Sequence, residues 1–221
     1  MIAREYGYPV LPGAALGTPG VEEVLRRRER AGRRWAFPAL GALGLPAVLL
    51  SSRGGPAAAF GVVAGVAFLV VLGLFLLWRR ARRRERSVLA TYGWQVWPYR
   101  GEKVTVVSGH RPGGRRWSHA GRVVLLAPDG QSHCSFPPPG GDWDGPRPGR
   151  KAGGTGRAVE DLPRGARGEV WFAGDTRFGG VLAVPGGLPF RYVTRDKPGT
   201  RRGDPEEDEL ARRAGLLRTR P

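Results

Sequence analysis

The chain has 221 residues, room for one domain or for a small domain joined to membrane segments. Its net charge of +17 comes almost wholly from Arg, because Lys occurs only at Lys103, Lys151 and Lys197. One cysteine, Cys134, excludes an intrachain disulfide and fits a reducing compartment.

The charge is unevenly placed. The blocks Arg26 to Arg34 and Arg79 to Arg86 each hold six Arg and one Glu, so each supplies +5. Neither block contains an aromatic residue, which argues against the interleaved basic and stacking face of a free-standing nucleic-acid-binding domain. Asn is absent and Ile occurs only at Ile2, the codon bias of a GC-rich genome, so part of the Arg excess is mutational.

Residues 1–34 read as a lead and a basic juxtamembrane helix. Met1 to Gly17 has no helical or strand period and is expected to be disordered. "TPGVEEVLRRRER" then starts a helix, with Thr18 as N-cap, Pro19 at the first helical position and acids preceding bases. The first apolar run begins only at Trp35, behind this polar lead, so no secretory signal is expected and the N-terminus should be retained.

Residues 35–52, "WAFPALGALGLPAVLLSS", form the first expected membrane helix. Pro38 sits near its first turn, whereas Pro46 is interior and leaves the Ala42 carbonyl without its helical donor. Residues 53–56, "RGGP", are a turn that joins only an antiparallel hairpin. Residues 57–78 carry no charge over 22 positions and would extend about 33 Å as a helix, enough to cross a bilayer core.

The positive-inside rule sets the topology. Arg26, Arg27, Arg28, Arg30, Arg33 and Arg34 precede Trp35, while Arg79, Arg80, Arg82, Arg83, Arg84 and Arg86 follow Trp78; the intervening turn has only Arg53. Both termini should therefore face the cytoplasm, with the Arg and Trp residues at an anionic headgroup layer of the plasma membrane. Ala57, Gly61, Gly65 and Gly73 lie on one face of the second span and suit close helix packing, against the first span or against a second copy of the protein.

Residues 79–92 continue as an Arg-rich helix that should stop at Gly93. In residues 93–198 the pattern changes to short β runs at 94–99, 103–108, 122–127, 131–136, 169–173, 178–184 and 189–193. "APDGQ", "GDTR" and "PGG" supply turns between them, and residues 137–168, rich in Pro and Gly, read as a long mobile loop. The expected fold is a two-helix transmembrane hairpin followed by a small cytoplasmic β-rich barrel or sandwich. A terminal helix in residues 199–221 begins at Asp204 and presents Leu210, Ala214 and Leu217 on one face.

Residue-level chemistry is sparse. His119, His133 and Cys134 are conceivable partners for proton transfer or ligation, but no paired metal-ligand spacing occurs, and strand or solvent histidines read as the simpler account. "GRKAGGTGR" lacks the Lys and Ser or Thr of a phosphate loop, no nucleophile elbow is present, and Asp142 and Asp144 fall in the expected loop. No catalytic residue, cofactor or metal is assigned.

The layout of basic lead, hairpin, Arg block and β-rich tail, with "ATYGWQVWP" and "VWFAGDTRFGGVLAVPGG", resembles the uncharacterised two-pass membrane proteins of actinobacteria. That resemblance covers most of the chain and implies no activity. A looser similarity is to bacterial pleckstrin-homology-like modules, from which the Pro/Gly stretch and the wide gap before the last helix depart. The expected role is a membrane anchor that presents a β-rich module to a protein or lipid partner. The alternatives are a membrane-bound enzyme using His119, His133 and Cys134, or nucleic-acid binding through the Arg blocks.

Overall fold

A computed structural model of the chain describes residues 2–51, 55–108, 116–136, 168–195 and 203–217. They form two compact units: Met1–Val21 with Ser87–Pro221, and Glu22–Arg86. The fold combines helices with a six-stranded antiparallel sheet curled into a half-barrel.

In the Glu22–Arg86 unit two helices run antiparallel, α2 (Val21–Ser51) and α3 (Pro56–Thr91). Their register follows from paired contacts: Phe37 faces Phe75 at 6.3 Å, a side chain at Gly44 would touch the Phe68 ring, and Gly65 approaches Ala47. Gly32 lies so near the Trp78 indole that any side chain there would collide with it. Among the described residues one helix, Ala57–Thr91, is long and apolar enough to cross a membrane; its apolar window has a mean hydropathy of 2.8, and 11% of it is buried. Exposed Leu69, Val70, Leu74 and Leu77 are on that helix.

Both α2 prolines lie inside the helix, which continues through them. It starts at Val21 rather than at Pro19. Gly20 takes φ +83°, and the Thr18 hydroxyl, expected to cap the helix, instead accepts from Trp94 Nε1 at 2.7 Å. The helix α3 ends at Thr91, yet Gly93 is not a left-handed cap. The carbonyls of Leu11 and Gly13 pass so close that a Cβ at Gly93 would lie within 2.8 Å of both.

The other unit is built on strands β1 (Gln95–Ser108), β2 (Arg116–Leu126), β3 (Ser132–Phe136), β4 (Gly168–Asp175), β5 (Gly179–Ala183) and β6 (Phe190–Thr194), in the order β3-β2-β1-β4-β5-β6. Seven runs become six strands because the first two merge. Arg100-Gly101-Glu102 does not turn: Gly101 stays paired with Val123, and Arg100 Nη2 donates to Glu102 Oε1 at 2.7 Å. The β2–β3 hairpin closes as its turn chemistry demands, with Gly130 at φ +80° and Asp129 Oδ1 accepting from Gln131 N at 2.9 Å. The expected loop 137–168 lies outside the described residues except for Gly168, which opens β4.

Contrary to the expectation of disorder, the N-terminal segment is part of this unit. A short helix α1 (Ile2–Glu5) buries Ile2 and Ala3 against the sheet, and Tyr8 joins the same core as Trp97, Leu125, Phe136, Phe172 and Leu182. Val10 bridges to Gln95, with backbone bonds from Leu11 N to Trp94 O and from Val96 N to Pro9 O. Tyr8 Oη donates to the Leu126 carbonyl at 3.0 Å. A half-barrel leaves one apolar face incompletely covered, and these N-terminal side chains fill it.

The terminal helix α4 (Pro205–Arg213) begins as its sequence indicates: Asp204 accepts from Glu207 N at 2.7 Å and Pro205 follows. Of the expected stripe, Ala214, the C-cap, is buried while Leu210 and Leu217 are half-buried, and Glu207 and Ala211 are buried beside it.

Candidate functional site

Between Leu125 and Leu126 the β2–β3 pairing slips. Leu125 faces Cys134 while Leu126 faces Ser132, so His133 is an extra residue with no opposite number. Such a bulge frees one side chain from the strict alternation of the pleat. The His133 ring stacks on Trp97 at 5.2 Å and meets Tyr6 edge-on at 5.3 Å. Its Nδ1 lies 3.3 Å from Tyr6 Oη and its Nε2 3.2 Å from Thr176 Oγ1. A neutral imidazole has one donor and one acceptor, so one hydroxyl donates to the ring and the other accepts from it; an imidazolium donates to both.

Thr176 belongs to the β4–β5 turn, which is held by charge. Asp175 Oδ1 accepts from Arg177 N at 2.8 Å, and Asp175 Oδ2 accepts from Arg177 Nη2 at 2.7 Å. Arg177 Nη1 donates to Asp208 of α4 at 2.7 Å. Burial alone would lower the guanidinium's pKa, but these bonds and charges outweigh it and hold the pKa above its ordinary value. Gln95 continues the network, donating to Gly174 O at 2.9 Å and accepting from Trp97 Nε1 at 3.2 Å.

Beside this network is a cavity of about 20 Å³, lined by Ile2, Tyr92, Gln95, Gly174, Asp175, Thr176, Glu207 and Leu210. Its size suits a single water. The Tyr92 hydroxyl is buried without a hydrogen-bond partner among the described residues, and burial together with nearby Asp175 raises its pKa above the ordinary phenol value. The arrangement ties the β4–β5 turn to α4 and to the N-terminal segment. It offers no room at this cavity for a metabolite.

His119 is not brought to the His133-Cys134 pair of β3. The backbone pairs His119 with Thr105, whereas Cys134 pairs with Leu125, six positions further along β2 and so about 20 Å away in an extended strand. Cys134 points into the core at 2% exposure. Burial pushes its thiol up to about 12, with Arg195 offsetting this only in part, so near neutral pH it is a protonated core residue and no nucleophile. Among the described residues no group of three or more His, Cys, Asp or Glu could hold a metal ion.

The Arg blocks meet on the antiparallel helices, where acids sort them. Glu85, at 1% exposure, accepts from Arg28 Nη1 at 3.3 Å and from Arg82. Glu22 pairs with Arg26 at 2.9 Å and Arg86 at 3.6 Å, and Glu23 pairs with Arg30 at 3.1 Å. Arg27, Arg33, Arg34, Arg79, Arg80, Arg83 and Arg84 have no carboxylate partner among the described residues. Trp35 is 83% exposed, and Trp78 stacks on Phe75 at 5.8 Å. Of the small residues, Gly61 is buried, Ala57 and Gly65 are half-buried with Gly65 against Ala47 of α2, and Gly73 has open space around it.

Several residues that matter in these networks carry weak sequence signals. Tyr6, Tyr8 and Val10 alternate, a strand-like cue within the lead, and Asp175-Thr176-Arg177 is legible as a turn but not as an ion-paired one. The core position of Glu85 has no signal. The chain matches no protein-family model, no curated protein and no solved structure.

Proposed function

We propose that the protein is a two-pass plasma-membrane anchor whose α2 and α3 form a transmembrane hairpin and whose half-barrel module binds a protein or lipid partner on the cytoplasmic side. One observation carries this reading. Residues 2–21 and 87–217 fold as one unit, while the segment that leaves this unit and returns to it contains a helix with an exposed apolar window of mean hydropathy 2.8. If that helix crosses a bilayer, the chain must cross an even number of times, because its two flanking segments share one core and hence one side.

The second crossing falls to the apolar part of α2. Its 35–51 stretch spans about 26 Å at the helical rise, slightly short of a ~30 Å hydrocarbon core, and the exposed Trp35 and adjacent Arg side chains reach the remaining distance to the headgroups. Orientation follows from the Arg count at the two ends of the hairpin against the single Arg53 in its turn. Alkaline washing of isolated membranes tests the anchor: retention in the pellet is expected, and release into the supernatant overturns it. Crosslinking in native membranes with the hairpin intact then identifies the partner.

A further inference from the structure

The twelve arginines of the two blocks are not equivalent, and we infer that four of them, Arg33, Arg34, Arg79 and Arg80, form a binding tier for the phosphate of an anionic phospholipid. This rests on the membrane-hairpin reading above. The antiparallel register places these four near one level: Gly32 adjoins Trp78, and Phe37 faces Phe75, so the Arg33-Arg34 pair lies opposite the residues just beyond Trp78. All four side chains are exposed, and no carboxylate among the described residues pairs with them.

Further from the apolar stretch the charge is answered in part: Glu22, Glu23 and Glu85 engage Arg26, Arg28, Arg30, Arg82 and Arg86, five of the eight outer bases. The tier next to the apolar boundary instead holds four bases and no acid. Trp35 and Trp78 mark that boundary, the depth at which indole rings sit in the headgroup layer. Guanidinium groups present paired donors that match phosphate oxygens, and a lipid phosphodiester is the anion that occurs at this depth. Glu85 contributes indirectly, because its burial between Arg28 and Arg82 keeps the helices in the register that assembles the tier.

The test uses the full chain in vesicles of phosphatidylcholine and phosphatidylglycerol in equal parts, extracted in mild detergent, with retained lipids measured by mass spectrometry. The wild type retains phosphatidylglycerol in preference. The triple exchange Arg33→Gln, Arg79→Gln, Arg80→Gln reduces the preference at least tenfold, since each base at an anionic surface contributes up to about fivefold. Arg27→Gln, Arg83→Gln, Arg84→Gln removes the same charge outside the tier and reduces it less than threefold. Equal losses in both triples, or none in either, overturn the tier. Displacement of the lipid by millimolar inorganic phosphate overturns the lipid as ligand. A chain that retains no lipid of any kind refutes the hairpin itself, which is a different result from retained lipid without preference.

Discussion

Replacing Tyr8 separates a structural N-terminal segment from an incidental one. Tyr8 is 5% exposed, packs edge-on to Trp97 at 5.2 Å and donates to the Leu126 carbonyl at 3.0 Å. Tyr8→Phe removes only that hydrogen bond and leaves a buried carbonyl short of one donor, a cost of about 1 kcal/mol. Tyr8→Ala also opens a ring-sized cavity beside Trp97 and Tyr6, and large aromatic truncations in a core cost about 3–5 kcal/mol. For a unit of this size roughly 2–4 °C of Tm accompanies each kcal/mol. The Phe variant should melt about 3 °C lower and the Ala variant about 10 °C lower or more, read by tryptophan fluorescence of the purified chain in detergent. An Ala variant that melts with the parent would show that residues 2–10 are not part of the core, so that the two segments flanking the helices need not lie on one side of a bilayer.

Three further variants probe the same unit. Gly180→Ala places a Cβ against the Ala173 carbonyl of the neighbouring strand, where backbone cannot yield cheaply, so the sheet should be destabilised by several kcal/mol; wild-type melting would contradict the close β4–β5 approach. Asp175→Asn leaves Arg177, 7% exposed, with a weaker partner and should cost about 3 kcal/mol in urea unfolding; an unchanged midpoint would show that Asp208 alone suffices. Cys134 holds its proton in the folded chain up to about 12, against 9.0 when unfolded, so the folded state binds more protons between these values. Stability should therefore be unaffected by this group below pH 9 and fall as pH rises from 9 to 12, by about 1.4 kcal/mol for each pH unit well inside that window, and Cys134→Ala should remove that component. An identical pH slope in the variant would place the thiol in solvent.

Strands and turns are readable in the sequence because their signals are local. Asp129-Gly130 fixes a hairpin, and Asp204-Pro205 opens a helix, through bonds to their own backbone neighbours. Sequence reasoning fails where the partner is distant. Tyr8 and Leu126 are 118 residues apart, so a lead with a short strand-like alternation looks unstructured until the half-barrel supplies its other wall. Thr18 reads as a cap because capping is local, but Trp94 claims its hydroxyl across 76 positions. His133 is visible as a residue and not as a bulge, since the extra position appears only in the β2–β3 register. The Arg blocks read as uniform charge; the pairing of Arg28 with Glu85 depends on a helix register that periodicity alone does not set.

The anchor topology is tested most directly by single-cysteine labelling in intact cells. With Cys134→Ala as background, Ser52→Cys ends the first expected span, beside the expected extracytoplasmic turn, and Ser87→Cys lies where the chain re-enters the unit expected on the cytoplasmic side. A membrane-impermeant maleimide should modify position 52 from outside and reach position 87 only after lysis. Labelling at 87 but not at 52 in intact cells would contradict the orientation, and labelling at 52 only after lysis would contradict the hairpin.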